Sequence, residues 1–394
     1  MKIGILTGGG DCPGLNSVIY GIMLKAFNSG HEIIGIEKGW KGFLDNIKQP
    51  LIPAEHDDLH IVGGTILFTS RTNPYENILK IKDKIAREEK IKEKAIDLAA
   101  HFKILGIDAL IVIGGDDTLG VAASIYKHTH ANIIGVPKTI DNDLSGTDYT
   151  FGFWSAVQLA TNTIDNLQTT AYSHQRTFVV EIMGRDAGWL TAMSGVSSGA
   201  DVILIPEEKF DLEHDIVNVL KERINSGYIK HIIACSEGAT PTDESLKRDF
   251  KTISKETIGN LPKDVFGNPL LAKLKIAKII VDELTSRTDL LELCKEKGVE
   301  FEVRDVVLGH TMRAGSPNAF DRFQGFRLGM HAAQLVEENL FGKMVAIRGD
   351  SIRAIDLTEG IQKRLIANPS DIIDMMNLIT SVKYRSKDKN KNTI

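Results

Sequence analysis

The sequence has few of the features that mark secreted, membrane-bound or nucleic-acid-binding proteins. Its 394 residues include only three cysteines, Cys12, Cys235 and Cys294, and their spacing matches no disulfide framework or zinc site. No apolar run reaches the length of a membrane span, and the first residues are typical of a strand rather than a signal peptide. A net charge of −5 argues against non-specific binding to nucleic acid or membrane surfaces. We therefore expect a cytoplasmic protein that binds neither nucleic acid nor membrane.

Apolar runs and helical patterns alternate along almost the whole chain. The length favours two domains, and alternation of this kind predicts parallel, doubly wound sheets. The first helix should begin at Leu15 and end before Gly30, and a long helix is expected over residues 76–101. Residues 239–298 are charged and helical in pattern, with a break near 261–269, and the tail 385–392 is polar. Strands are expected at residues 2–7, 32–36, 109–113, 132–136, 177–182, 202–205, 230–235, 303–308 and 344–347.

Two of these expected strands are followed by glycine and aspartate. Gly114-Gly115-Asp116-Asp117-Thr118 follows one, and Pro137-Lys138-Thr139-Ile140-Asp141-Asn142-Asp143 follows the next. Open parallel sheets bind their ligands at the carboxyl ends of strands, where glycine lets the backbone approach phosphate and carboxylates hold Mg²⁺ or accept a proton. These aspartates would otherwise only cap helices and shape turns. Their joint occurrence favours phosphoryl transfer.

The first strand runs into a glycine-rich loop, Gly8-Gly9-Gly10-Asp11-Cys12-Pro13-Gly14. A dinucleotide fingerprint would need its third glycine one residue earlier, so a nicotinamide enzyme is the weaker interpretation. No Gly-Lys-Ser/Thr follows, which excludes a Walker loop. Backbone N–H groups of Gly9 and Gly10 are expected to cradle a phosphate. Five arginines near strand ends suit bidentate phosphate recognition: Arg71, Arg176, Arg185, Arg304 and Arg313.

Together these segments resemble one family over nearly the whole chain, the phosphofructokinases of the bacterial type. The NAD kinase and diacylglycerol kinase families share the Gly-Gly-Asp-x-Thr element but lack segments like 183–188 and 309–317. The resemblance implies two Rossmann-like α/β domains with the active site in the cleft between them. The matching segments, in order, are Thr7–Asn16, Gly114–Thr118, Pro137–Asp148, Ser173–Gly188, Glu237, and Gly309–Pro317 with Asp321-Arg322.

The resemblance also implies roles for individual residues. Asp141 would take the proton from the 1-hydroxyl of fructose 6-phosphate, with Thr139 and Asp143 holding the reacting groups. Asp116 would be the carboxylate linked to Mg²⁺. Gly9 and Arg71 would contact the phosphoryl donor, and Arg71 could also stabilise charge on the transferred group. The sugar would be bound by Met183, Gly184, Arg185 and Glu237, and its 6-phosphate by Arg304, His310 and Arg313.

The donor is predicted from two positions where family members differ. ATP-dependent members generally have glycine at the position of Asp117, and often at that of Lys138, whereas the pyrophosphate-dependent branch resembles this chain at both. A carboxylate at position 117 would obstruct the α-phosphate of a nucleotide. An ammonium at position 138 would neutralise a small, highly charged donor. The sequence therefore favours pyrophosphate, with ATP as the alternative donor.

The resemblance further predicts the domain organisation and an oligomer. Residues 1–152 with 312–362 would bind the donor, and residues 153–311 with 363–394 would bind fructose 6-phosphate, with a helical insertion near 239–298. Arg176 matches an arginine that reaches into a neighbouring subunit, which implies a homodimer or a homotetramer. A catalytically inactive regulatory paralogue is the remote alternative, and the presence of Asp141 and Asp116 argues against it.

Overall fold

The structure is a computed structural model that describes residues 1–263 and 269–369, together with 371, 372, 374 and 375. The predicted break at 267–269 lies partly outside these residues, and the tail 385–392 lies wholly outside them. The chain divides into two compact units, Met1–Ala156 with Arg313–Arg364, and Val157–Met312 with Leu365–Ile394. No helix in the part of the chain that is described is long and apolar enough to cross a membrane.

Eleven strands form two sheets among the described residues. The first unit holds a seven-stranded sheet in the order β11-β10-β5-β4-β1-β2-β3, and the second a four-stranded sheet in the order β7-β8-β6-β9. The strands are β1 Lys2–Thr7, β2 Glu32–Ile36, β3 Lys48–Pro50, β4 Ala109–Gly114, β5 Ile133–Pro137, β6 Arg176–Ile182, β7 Val202–Leu204, β8 His231–Ser236, β9 Glu302–Val307, β10 Lys343–Arg348 and β11 Ser351–Asp356.

Helices connect and cover the strands. The α-helices are α1 Leu15–Asn28, α2 Gly39–Asp45, α3 Glu76–Leu79, α4 Lys84–Leu105, α5 Asp116–Thr129, α6 Phe153–His174, α7 Trp189–Ser197, α8 Asn218–Asn225, α9 Asp243–Arg248, α10 Lys255–Gly259, α11 Ile276–Thr285, α12 Thr288–Lys297, α13 Ala319–Glu337 and α14 Leu357–Gly360. A π-helical turn covers Leu212–Val217, and short 3₁₀ turns lie at Pro53–Glu55, Leu59–Ile61, Leu271–Leu274 and Gly309–Arg313.

Both sheets are mainly parallel, which confirms the predicted α/β class. All residues of β4 and β5 are buried, as expected for parallel strands that helices cover on both faces. Among the described strands of the first sheet, only β3 and β11 pair antiparallel to their neighbours. These two edge strands were not predicted, because their polar sequences carry no run of buried apolar residues.

The predicted long helix over residues 76–101 is wrong in its continuity. Two helices, α3 and α4, replace it. The Asp83 carboxylate accepts hydrogen bonds from the N–H groups of Ile85 and Ala86, at 2.8 and 3.0 Å. Asp83 therefore caps α4 and starts a new helix at Lys84. The first helix agrees with its prediction, since α1 ends at Asn28 and Gly30 has a left-handed φ of +76°.

Candidate active site

In the first unit, the backbone of the glycine-rich loop after β1 is hydrogen-bonded to a second loop, at residues 69 and 70. Gly9 has a left-handed φ of +81°. Its N–H donates to the carbonyl of Ser70 at 3.0 Å, and its carbonyl accepts from the Thr69 hydroxyl at 2.6 Å. The Gly9 N–H is thus engaged with Ser70, and the predicted contact of Gly9 with a phosphate stays a prediction. The same bonds place the segment that carries the exposed Arg71 directly beside the loop.

The ammonium group of Lys138 contacts the glycine-rich loop. Its side chain is only 4% exposed, and its Nζ donates to the Gly10 carbonyl at 2.5 Å. The backbone N–H of Lys138 donates to the Gly114 carbonyl at 2.9 Å, which fixes the residue at the end of β5. A Cβ on Gly9 would lie 3.3 Å from the ammonium nitrogen. Burial, above all, lowers the pKa of Lys138.

Two of the predicted aspartates begin the neighbouring helix. Asp116 and Asp117 form the first turn of α5, directly after β4, and both are exposed. Carboxylates in the first turn of a helix are stabilised by the unpaired N–H groups and by the helix dipole. The same position would otherwise attract the phosphates of a donor. Asp117 thus occupies a place where an anion is favoured.

The loop after β5 carries Asp141 and Asp143. The N–H of Asp141 donates to the Thr139 hydroxyl at 3.1 Å. Burial, together with the negative charges of Asp141 and Asp116, raises the pKa of Asp143 to about 7. The three carboxylates therefore lie close enough to interact, as their positions at neighbouring strand ends predict. Carboxylates placed this close together suit a divalent cation.

Protein ligands alone make no metal site in the described part of the chain. Within the described ranges, no group of three His, Cys, Asp or Glu side chains comes together as a candidate metal centre. Mg²⁺ is commonly held by one or two carboxylates plus water and substrate phosphates. The carboxylates around Asp143 fit that mode of binding, in which the remaining ligands come from the donor.

In the second unit, the predicted sugar-binding residues follow two adjacent parallel strands. Met183, Gly184 and Arg185 follow β6, and Glu237 follows β8. Gly184 has a φ of +139°, and its carbonyl accepts from the Ser236 hydroxyl at 2.5 Å. The N–H of Glu237 donates to the Ile182 carbonyl at 2.8 Å, so the two strand ends are joined there.

Arg176 and Arg304 are also brought together, by a glutamate that lies in none of the sequence motifs. Both guanidinium groups bind the carboxylate of Glu302: Arg176 to its Oε2 and Arg304 to its Oε1. Glu302 lies two residues before Arg304 on β9, and β9 pairs with β6, on which Arg176 lies. Residues two apart on a strand share a face, so the spacing of Glu302 and Arg304 is a local signal that their side chains can pair. The two arginines form one positively charged cluster.

The residues of the Gly309–Pro317 segment divide between the units. His310 is an exposed residue of the second unit. Arg313 belongs to the first unit, where its Nη1 donates to the Asp11 carbonyl at 3.2 Å. A Cβ on Gly10 would lie 2.6 Å from the same nitrogen. The guanidinium of Arg313 therefore lies against the glycine-rich loop, and its predicted contact with the 6-phosphate stays a prediction.

Comparison with known proteins identifies the family. The phosphofructokinase family matches residues 2–336. The chain is 43% identical to a pyrophosphate–fructose 6-phosphate 1-phosphotransferase of Streptomyces coelicolor, over 94% of this chain and 97% of the relative. It is 38% identical to ATP-dependent 6-phosphofructokinase 3 of the same organism, over 92% and 95%. A pyrophosphate-dependent phosphofructokinase from Marinobacter aquaeolei shares its fold, with a TM-score of 0.71, 19% identity, and coverage of 96% of this chain and 92% of that one. This chain belongs to the phosphofructokinase family.

Proposed function

We propose that this chain transfers a phosphoryl group from pyrophosphate to the 1-hydroxyl of fructose 6-phosphate. The products are fructose 1,6-bisphosphate and phosphate, and the reaction is reversible, as in glycolysis and gluconeogenesis. The observation that carries this proposal is the buried Lys138 ammonium, which is bonded to the Gly10 carbonyl and lies three residues before Asp141 in the loop after β5. The site thus combines a cation for a small, highly charged donor with a carboxylate base.

In this mechanism Asp141 accepts the proton of the 1-hydroxyl as the sugar oxygen attacks the terminal phosphorus of the donor. A new bond forms between that oxygen and phosphorus, and the bridging P–O bond of pyrophosphate breaks to release phosphate. Lys138 and Arg71 neutralise the charge that builds up on the transferred group and the leaving phosphate. The protein does little covalent work, and positioning with charge neutralisation supplies most of the rate.

We assign Mg²⁺ to the carboxylates of the first unit, with Asp116 as the residue that would hold it. When bound, the ion supplies neutralisation of the donor oxygens. Thr139 and Asp143 orient the reacting groups. Burial first, and then the negative charges of Asp141 and Asp116, raise the pKa of Asp143, and a bound cation would offset that repulsion.

The two units receive different substrates in this proposal. The first binds the donor, through Gly9, Gly10, Arg71, Asp117 and Lys138. The second binds fructose 6-phosphate, through Met183, Gly184, Arg185, Glu237, Arg304 and His310. We infer that the enzyme works in the cytoplasm as a homodimer or homotetramer, with no nucleic-acid or membrane partner.

A side-by-side donor assay tests the proposal. Wild-type protein is supplied with fructose 6-phosphate and Mg²⁺, and with pyrophosphate, ATP or ADP as donor. We expect turnover with pyrophosphate to be far above that with ATP. Relatives such as the ATP-dependent 6-phosphofructokinase 3 of Streptomyces coelicolor keep ATP as the alternative donor, and activity from ATP alone would support that alternative. Inactivity with every donor would support an inactive paralogue.

Arg176→Ala is expected to raise the KM for fructose 6-phosphate at least about tenfold, because a charged contact to phosphate contributes roughly 1.5–3 kcal/mol. The KM for pyrophosphate should stay within about twofold of the wild-type value. Steady-state kinetics with each substrate varied in turn measures both values. Lys278→Ala, an exposed basic residue on α11 of the same unit, is the control and should leave both KM values unchanged.

An equal loss of affinity for the donor would instead place Arg176 on the donor side.

Sedimentation of dilute, active enzyme tests the assembly. If Arg176 completes the 6-phosphate site of a neighbouring subunit, a fully active monomer should never be seen.

A further inference from the structure

A short segment near the end of the first unit runs along the loop that carries Asp141 and Asp143. We call this segment, residues 360–364, the C-terminal strap. Its Lys363 forms an antiparallel bridge with Leu144, and the N–H of Ser145 donates to the Gln362 carbonyl at 2.8 Å. The N–H of Arg364 donates to the carbonyl of Asp143 itself, at 2.7 Å. The strap is therefore bonded to the backbone of one of the proposed active-site residues.

The side chain of Arg364 extends this attachment to the far end of the loop. Its Nη1 donates to the carbonyl of Asp148 at 2.6 Å and to that of Thr147 at 3.2 Å. A single residue thus binds three carbonyls of the loop, one through its backbone and two through its guanidinium. Hydrogen bonds from a charged donor are stronger than neutral ones, so this contact resists displacement of the loop.

The strap and the loop also approach each other closely through glycine. A Cβ on Gly146 would lie 2.4 Å from the Cα of Gly360. The N–H of Gly146 donates to the carbonyl of Gly360 at 3.3 Å. A side chain at position 146 would meet the backbone of Gly360 and push the strap away, so the backbone-to-backbone contact depends on Gly146.

Inside the loop, Asn142 holds the chain in an unusual conformation between the two aspartates. Its φ is +52°, a left-handed value, and its side chain is 1% exposed. The Asn142 Oδ1 accepts from the N–H of Thr150 at 3.0 Å, and the Thr150 hydroxyl donates to the Thr139 carbonyl at 2.7 Å. The loop conformation that orients Asp141 and Asp143 therefore depends on bonds made within it and on the strap.

We propose that Arg364 is a positioning residue for phosphoryl transfer, which holds the loop Asp141–Asp148 in the conformation that directs Asp141 and Asp143 at the reacting groups. This role rests on the proposed function of the chain. A misplacement of about 1 Å in a catalytic group can cost about 100-fold in rate. Through its bonds to three carbonyls of the loop, Arg364 acts on the backbone that carries both aspartates.

Arg364→Met tests this proposal, because it keeps the length of the side chain and removes the guanidinium. We expect kcat for fructose 6-phosphate and pyrophosphate with Mg²⁺ to fall about 10- to 100-fold. Both KM values should stay within about twofold, since the binding residues are untouched. Arg364→Lys should recover part of the kcat, because an ammonium can still donate to a carbonyl. Amide hydrogen exchange over residues 141–148 should become faster in Arg364→Met.

Arg353→Met is the matched control, since Arg353 is an exposed arginine of β11 in the same unit and its Nε donates to the nearby Ser351 hydroxyl. Arg353→Met should match the wild type in kcat and in amide hydrogen exchange over residues 141–148. A kcat for Arg364→Met equal to that of the control, or a change confined to KM, would overturn the proposal. If Arg364→Met does not fold, Arg364→Lys decides: reduced kcat at a wild-type Tm supports the role, and unchanged kcat overturns it. Wild-type protein inactive with every donor would reject the proposed function as well, before any variant is compared.

Discussion

Asp141→Ser is expected to lower kcat by about 10²–10⁴-fold, the usual contribution of a positioned general base. The KM for fructose 6-phosphate should change little, because the base acts in the transition state rather than in sugar binding. Serine is small and polar, so the bond from the Asp141 N–H to the Thr139 hydroxyl can persist in the variant. Steady-state kinetics with pyrophosphate and Mg²⁺ measures the effect.

The control for this prediction is Asp57→Ser, which removes an exposed carboxylate from a turn of the same unit. It should leave kcat at the wild-type value. A kcat for Asp141→Ser close to normal would remove Asp141 from the role of base. A large rise in the KM for the sugar, with kcat unchanged, would make Asp141 a binding residue instead.

The parts of the fold that the sequence predicted best are those that burial dictates. Strands β1 and β4 are covered by helices, so their apolar runs are long and their ends can be located within one residue. The edge strands could not be predicted in this way. Strands β3 and β11 are polar and antiparallel, and their pairing depends on tertiary contacts that no local pattern records.

In the candidate site, too, contacts between neighbouring strand ends could be predicted, and contacts between remote segments could not. Asp116 and Asp143 could be predicted to interact because both follow parallel strands of one sheet, and the raised pKa of Asp143 agrees. The engagement of the Gly9 N–H with Ser70 could not be predicted, since it requires a loop that is remote in the chain. Arg364 carries no local signal either. Its contacts join the end of the first unit to the loop after β5, which only the three-dimensional structure reveals.

The choice of donor should change when Asp117 and Lys138 are replaced. Asp117→Gly is expected to improve turnover with ATP, because it removes a negative charge from the first turn of α5 and leaves the helix N-terminus open to the α-phosphate of a nucleotide. Its effect on pyrophosphate should be smaller. The ratio of kcat/KM for ATP to that for pyrophosphate is the measurement, and Asp57→Ser is again the control.

Lys138→Gly should chiefly damage the use of pyrophosphate. The ammonium lies under the glycine-rich loop and is bonded to the Gly10 carbonyl, so its loss removes a preorganised positive charge beside the transferred group. Removing one contact of this kind typically costs about 2–4 kcal/mol in the transition state, or roughly 30- to 1,000-fold in kcat/KM. Lys138→Met, which keeps the volume of the buried side chain, separates loss of charge from loss of packing and should show a similar decrease.

The double variant with Asp117→Gly and Lys138→Gly tests whether both residues act on one donor site. Residues that share a site are coupled, so the two changes in transition-state free energy should not add. Additive effects would place Asp117 and Lys138 at independent positions on the donor. Wild-type activity that is strong with ATP and absent with pyrophosphate would reject pyrophosphate as the donor. It would leave the membership of the phosphofructokinase family standing, because the family match does not depend on these two residues.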